Sequence, residues 1–340
     1  MARLDSDGDV LLAGPAIRAV AAGADRVVLL CGPRGRPAAG LLPGADDIVV
    51  WHCPWIDPEP RPVDPADVER LVTEIAARDV DEALVLTSYH QSPLPLALLL
   101  RLAGVGRIAA ASEDYPGSLL DVRHRLPAAG LHEVERMLSL AAAAGFSLPA
   151  EDDGRLRIRE PLPDPTSLTG TEPYVVVHPG ASVPARAPSP DRVAAMVDAL
   201  VADGRRVMVT GGPEERPLTA LVAGIPQAGV RDLGGRTDLA GLAGVLARAE
   251  AVVVGNTGPA HLAAAVGTPV VSLFAPTVPA DRWRPWKVPQ VLLGDSGAAC
   301  AGSRARTCPV PGHPCLNGVP VESVVAAVRM LAPQPVEAAR

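Results

Sequence analysis

Apolar residues along this chain come in short runs separated by longer amphipathic stretches. In the first half, residues 25–31 (DRVVLLC), 47–51 (DIVVW) and 83–87 (ALVLT) are unbroken apolar segments of strand length. Such runs, apolar on both faces, are what a parallel sheet covered by helices requires. Residues 65–78 and 95–103 carry helical periodicity, the first opened by Asp64 as N-cap and Pro65 at the first helical position. Residues 132–145 read as a further amphipathic helix closed by Gly145. The second half restarts with a strand over 174–178 (YVVVH) and a helix over 189–203. Strands over 206–210 (RVMVT), 251–255 (AVVVG) and 269–274 (PVVSLF) follow, with helices over 260–266 and 321–331. The alternation predicts an α/β protein of βαβ units, with two Rossmann-like domains facing each other across a cleft.

Residues 149–173 interrupt the pattern with Pro149, Pro161, Pro163, Pro165 and Pro173 among many charges. That stretch is expected to be the linker, giving domains over 1–155 and 170–320 and a C-terminal helix and tail over 321–340. The opening is unusual. Doubly wound domains begin with a strand, yet only residues 1–4 precede the polar turn 5–9 and a helix expected over 10–20. Either that strand is very short, or the start lies downstream of the true one.

Composition narrows the function. The 340 residues are 48% hydrophobic but only 3% aromatic, so the two cores must be aliphatic. A net charge of -7 lacks the basic field of a nucleic-acid binder. The apolar run 94–100 stops at Arg101, well short of the ~20 residues that span a bilayer. Residues 1–9 lack the basic and apolar regions of a signal peptide. Five cysteines, an odd number, do not form a secreted disulfide framework. The expectation is a cytoplasmic protein with no nucleic-acid partner and at most transient contact with a membrane surface. Lys287 is the single lysine, a bias that hands other cationic roles to arginine.

Chemistry gathers just beyond the expected strands. Residues 252–262 (VVVGNTGPAHL) take a buried strand through a small-residue loop directly into a helix. Free N–H groups and the positive dipole end there suit a phosphate. Thr257 can cap the helix or donate to phosphate, Gly258 permits close approach, and Pro259 fits the first turn. In 178–186 (HPGASVPAR), Gly180, Ala181 and Ser182 can wrap a phosphate while Arg186 pairs with it. In 210–216 (TGGPEER) a glycine turn precedes carboxylates, a pattern that accepts from ribose hydroxyls. Asp5, Asp7 and Asp9 sit in RLDSDGDVLL; Asp5 and Asp7 read as caps, and Asp9 as a general base aimed across the cleft.

These motifs, in this order, resemble glycosyltransferase family 9, which includes the ADP-heptose:lipopolysaccharide heptosyltransferases. The resemblance rests on GDVLLAGPAIRAV, HPGAS, TGGPEE, DLGGRTDLAGL, GNTGPAHLAAAVGTPVVSLFAPT and a late Cys-rich loop, and covers residues 3–331. It implies a GT-B fold with an acceptor-binding first domain and a donor-binding second domain. The family's catalytic Asp falls on Asp9, and its phosphate-holding small residues on Ala181 and Ser182. Arg186 stands where the heptosyltransferases have lysine. Glu215 takes the ribose position ahead of Glu214, and Thr237 lies by the base. Thr257, Gly258 and His261 match the donor-phosphate segment. Asn256 replaces the Asp that holds sugar hydroxyls in the heptosyltransferases, and Pro188 replaces a tryptophan.

The late loop holds Cys300, Cys308 and Cys315 with His313, and Ser303 where many members have a fourth cysteine. Its C-x7-C-x6-C spacing departs from zinc-finger patterns, so reduced structural thiols are expected and no metal is assigned. Cys31 and Cys53 read as packed apolar residues. On the acceptor side, His90, Gln91, Asp121, Arg123 and His124 are candidates for hydroxyl or phosphate contacts, with His124 and His132 as alternative bases. The reading is an inverting, metal-independent glycosyltransferase that requires no cofactor. It takes a nucleotide-sugar donor, ADP-heptose favoured, and a glycan, glycolipid or small-molecule acceptor. A nucleotide-sugar epimerase or hydrolase, and a non-catalytic nucleotide-sugar-binding protein, are the alternatives. A nicotinamide dehydrogenase is disfavoured because no G-x-G-x-x-G turn follows the first strand.

Overall fold

The computed structural model describes residues 1–333 apart from residue 89, residues 127–129 and residues 226–228. Tyr89 of the SYHQS segment and the tail beyond residue 333 therefore lie outside the described residues. The chain divides into two compact units, Met1–Arg159 and Glu160–Arg340, with the boundary inside the proline-rich stretch.

The first unit holds a six-stranded parallel sheet of β1 (Ala2–Arg3), β2 (Val28–Cys31), β3 (Asp47–Val50), β4 (Glu82–Val85), β5 (Arg107–Ala111) and β6 (Val122–His124). Its order is β3-β2-β1-β4-β5-β6. The chain leaves β1 for one side of the sheet and returns on the other through β4. The carboxyl end of β1 is therefore the switch point, where open α/β sheets bind ligands. The second unit repeats the plan with β7 (Val175–His178), β8 (Val207–Val209), β9 (Val230–Asp232), β10 (Ala251–Gly255), β11 (Val270–Leu273) and β12 (Gln290–Leu293). Its order is β12-β11-β10-β7-β8-β9, which puts the switch point between β7 and β10. The α/β class with two doubly wound sheets is as the sequence predicts.

Valine runs make the central strands. Val175, Val177, Val253 and Val271 are buried, together with Val193, Met196 and Leu200 of the helix Pro190–Ala202 and Val324 and Val328 of the helix Val321–Leu331. Each such side chain contributes about 1.5–3 kcal/mol on burial. The final helix is thus part of this core. In the first unit, Leu30, Val49, Trp51, Leu71, Ile75, Val85, Leu96 and Ile108 form the equivalent cluster.

Four strands escape the sequence pattern. β5 reads RIAAA, whose alanines carry no strand preference, although its burial in the sheet is deep. β6 and β9 have three residues each, two of them polar, as outer strands allow, and β12 is the four-residue outer strand QVLL. The helix expected over 10–20 is two helices, Asp7–Leu12 and Gly14–Ala21. They part just before Pro15, which has no N–H to continue the first.

At the opposite edge of the first sheet, by the strands' amino ends, a cavity of about 400 Å³ is lined by Met1, Val28, Asp81, Glu82 and Phe146 among others. Among the described residues, no helix is long and apolar enough to cross a membrane.

Candidate active site

In the second unit, three loops leave the carboxyl ends of β7, β8 and β10. Because β7 pairs with both β8 and β10, these loops are neighbours by construction. The β7 loop runs from His178 through Ala181 and Ser182 into a single 3-10 turn, Pro184–Arg186. Arg186 is half-buried, and its carbonyl oxygen lies 2.5 Å from where a Cβ on Gly255 would stand. Any side chain at Gly255 would push the Arg186 loop off the end of β10.

Glu215 enters from the β8 loop and lies across the β7 loop. Its Oε2 accepts from the Gly212 backbone N–H at 2.8 Å. Its Oε1 is 1.8 Å from the position of a Cβ on Gly180, so that glycine makes room for the carboxylate. His178 stands beneath, 7% exposed, with Nδ1 3.1 Å from Thr210 Oγ1 and Nε2 3.7 Å from Glu215 Oε2. Burial holds this imidazole below the ordinary histidine pKa, so it is neutral at neutral pH. The imidazole therefore sets no cation against Glu215. The segment carrying Thr237 is tied to the same turn, since Gly235 N–H donates to the Gly211 carbonyl at 2.8 Å. Thr237 itself precedes Asp238, which caps the helix Leu239–Ala247 through the Gly241 N–H.

The β10 loop completes the group. Thr257 is the extended N-cap of the helix Gly258–Ala265, and its hydroxyl makes no capping bond. Pro259 has no N–H and the Ala260 N–H donates to the Thr257 carbonyl at 3.0 Å, so the donors this helix start keeps for an anion are the Thr257 hydroxyl and the Gly258 N–H. His261 is 6% exposed on that helix. Asn256, 5% exposed, spends its Oδ1 on the Ala275 N–H at 3.3 Å, while its Nδ2 is buried without a hydrogen-bond partner. Ala181, Ser182, Arg186, Glu215, Asn256, Thr257, Gly258 and His261 thus gather at one sheet edge, with Thr237 beside them.

In the first unit, Asp9 lies on the helix Asp7–Leu12, directly beyond β1. Its Oδ2 accepts from Ser6 Oγ at 2.9 Å and its Oδ1 from Arg3 Nη2 at 3.0 Å. Arg3, a residue not singled out from the sequence, is completely buried. Gln91 is turned onto Asp5, donating to Oδ1 at 2.5 Å, and its Oε1 accepts from the Ser88 N–H. His90 beside it is exposed. Asp7 Oδ1 accepts from the Ala38 N–H at 2.9 Å. Arg123 and His124 lie on β6, two strands from the switch point. Arg123 donates to the Ser112 and Glu113 carbonyls, and His124 Nε2 is 2.7 Å from Ser139 Oγ. Asp121 is committed to the Ile108 N–H and Arg101, and His132 caps the helix Glu133–Ala144. The structure thus groups Gln91 with Asp5, Arg3 and Asp9, while Arg123 is engaged by the loop after β5 and His124 by the helix Glu133–Ala144.

All five cysteines are free thiols. Burial pushes Cys31 and Cys315 up to about 11 and Cys53 to about 12, so these three stay protonated. Among the described residues, no three His, Cys, Asp or Glu side chains are grouped to hold a metal ion.

Known proteins resemble this chain. Residues 68–313 match the model of glycosyltransferase family 9 (heptosyltransferase). Lipopolysaccharide heptosyltransferase 3 of Escherichia coli (strain K12) is 28% identical over 223 residues, which is 62% of each chain. The match thus spans about six-tenths of that relative's length. Two solved structures share the fold. ADP-heptose lps heptosyltransferase II of E. coli has a TM-score of 0.76 at 19% identity, covering 97% of both chains. E. coli heptosyltransferase WaaC with ADP has a TM-score of 0.71 at 21% identity, covering 97% of this chain and 98% of that one.

Proposed function

This chain belongs to glycosyltransferase family 9, and from that premise we propose that it transfers a sugar from a nucleoside diphosphate to a hydroxyl group, with inversion and without a metal ion. The donor favoured is ADP-heptose and the acceptor a glycan or glycolipid of the lipopolysaccharide type, met in the cytoplasm or in transient contact with a membrane surface. The observation that carries the reading is the convergence of an arginine, a helix start and a carboxylate at the β7/β10 switch point. The relative solved with ADP supports adenine as the base.

In this mechanism the second unit holds the donor. Ala181, Ser182 and the start of the helix Gly258–Ala265 cradle the diphosphate, Arg186 and Thr257 donate to its oxygens, and Glu215 accepts from the ribose. As the bond to the anomeric carbon breaks, negative charge grows on the departing diphosphate. Arg186 and the helix start stabilise that charge, the task a metal performs in other enzymes. Asp9 removes the proton of the attacking acceptor hydroxyl, on the face opposite the leaving group. Asn256 sets the sugar. Where the heptosyltransferases offer a second carboxylate oxygen, this chain offers an N–H donor, so the sugar atom facing it must accept a hydrogen bond.

Calorimetric titration with ADP, GDP and UDP in EDTA tests the donor site. ADP is expected to bind tightest, with Arg186→Ala weakening it about 10- to 100-fold, the worth of a charged hydrogen bond of about 1.5–3 kcal/mol. Asp9→Asn is expected to keep ADP binding and lose transfer. Binding of no nucleotide at all would overturn the reading. Steady release of ADP from ADP-heptose without acceptor would make the protein a hydrolase.

A further inference from the structure

Arg3 is an arginine inside a sheet. It occupies the second residue of β1, the central strand, and none of its side chain reaches solvent. A guanidinium does not give up its proton in a protein, so a buried one must be met by carboxylates. Arg3 is met by two. Its Nε lies 3.1 Å from Asp5 Oδ2, and its Nη2 donates to Asp9 Oδ1 at 3.0 Å. The second hydrogen of Nη2 goes to Ser88 Oγ at 2.9 Å. Ser88 and Asp5 are joined in turn through Gln91, which accepts from the Ser88 N–H at 3.0 Å and donates to Asp5. The ring runs from β1 to the loop after β4, the two chain segments that flank the switch point. Asp9 is the more open of the two carboxylates, with 24% of its side chain exposed against 13% for Asp5. The cation is fixed in the core and the carboxylate it holds faces outward.

We infer that Arg3 is a positioning residue for Asp9, gripping one carboxylate oxygen from below while Ser6 holds the other, so that the carboxylate is held in one orientation for an acceptor hydroxyl. The inference rests on Asp9 being the base. Arg3 does not quench it, because the cation is shared. Asp5 and Glu133 also lie within its electrostatic reach, Arg34 acts on Asp5, and Arg136 is 3.4 Å from Glu133. One guanidinium divided among three carboxylates orients Asp9 without being spent on it alone. The helix carrying Asp9 could not do this alone, since its Ser6 cap restrains only Oδ2.

The test compares Arg3→Lys, the charge-balanced pair Arg3→Met/Asp5→Asn, and Asp9→Asn. Simple removal of Arg3 would leave Asp5 and Asp9 facing each other without their shared cation and endanger folding. The double variant removes one charge of each sign and avoids that. ADP release from ADP-heptose is followed with a lipopolysaccharide core oligosaccharide as acceptor, alongside calorimetric binding of ADP. The Asp9 carboxyl is titrated by carbon NMR, its signal identified by its loss in Asp9→Asn. In the double variant kcat is expected to fall about 100-fold with the donor KM and ADP affinity unchanged, and the Asp9 midpoint to rise by roughly one to three pH units. Arg3→Lys should recover part of kcat and most of the midpoint. An unchanged kcat and midpoint in the double variant would overturn the role of Arg3. Transfer surviving in Asp9→Asn would overturn the base itself, a separate failure.

Discussion

Asp7 and Asp9 share one turn of helix and have opposite environments. Asp9 is gripped by Arg3 and Ser6, whereas burial pushes Asp7 up to about 6, against the pull of the Ala38 N–H and of Arg34. The folded chain therefore binds a proton at Asp7 more readily than the unfolded chain, whose carboxyl titrates at its ordinary value. Below that value Asp7 is neutral in both states and costs nothing. As pH rises toward 6 the unfolded carboxyl ionises first and stability falls, a loss complete above 6. The ceiling is about 3 kcal/mol at 1.36 kcal/mol per pH unit, and partial solvent access lowers it to about 1 kcal/mol. Asp7→Asn keeps an oxygen for the Ala38 N–H and removes the charge. Denaturant titrations should show the variant more stable than the parent by about 1 kcal/mol at pH 7.5 and equal to it near pH 3.5. A constant difference at both pH values would mean the gain is not electrostatic. Arg3 was visible as the one charge in the first four residues, MARL. Its partners were not, because Ser88 and Gln91 lie more than eighty residues away and meet it only through the β1–β4 pairing.

Loops, more than strands, decide what the second unit can bind, and glycines set how closely those loops stack. Gly180 shows this, since the Glu215 carboxylate occupies the space its Cβ would take. Gly180→Ala is expected to displace that carboxylate and lower ADP affinity about as much as Glu215→Ala does, roughly 10-fold. Its stability cost should stay within the 1–3 kcal/mol of an overpacked site. Titration calorimetry on the two variants decides it, and Gly180→Ala binding ADP like the parent would dismiss the spacer role. The loops themselves were legible, because each follows a valine run that can only be a buried strand: YVVVH before HPGAS, and AVVVG before NTGPAH. The close approach of Gly180 to Glu215 was not, because it joins two loops 35 residues apart through strand adjacency. The outer strands were illegible for a different reason. β6 and β9 are short and mostly polar, so nothing in their sequence sets them apart from loops. His124 and Arg123 were accordingly taken from a polar loop, whereas they belong to a strand, with their side chains bonded to Ser139 of the helix Glu133–Ala144 and to the Ser112 carbonyl.

At the scale of the whole molecule, each unit carries its own parallel sheet, core and switch point, and the two switch points bear different chemistry. The first offers anchored carboxylates, and the second offers donors for an anion with a carboxylate for a sugar ring. That division fits a reaction in which one half prepares a nucleophile and the other holds a charged leaving group. It also makes a claim about where a nucleotide acts. If ADP is bound by the loops after β7, β8 and β10 alone, its stabilisation belongs to the second unit. With ADP at one hundred times its dissociation constant that stabilisation is about 2.7 kcal/mol. Hydrogen exchange of the intact chain should then show slowed amides in residues 179–187, 211–216 and 256–262, and in the valine strands they cap. The β1–β4 region around Asp9 should exchange at the rate of the free protein. Protection of residues 3–12 by ADP without acceptor would contradict the division, and place the nucleotide against the carboxylates rather than opposite them in role.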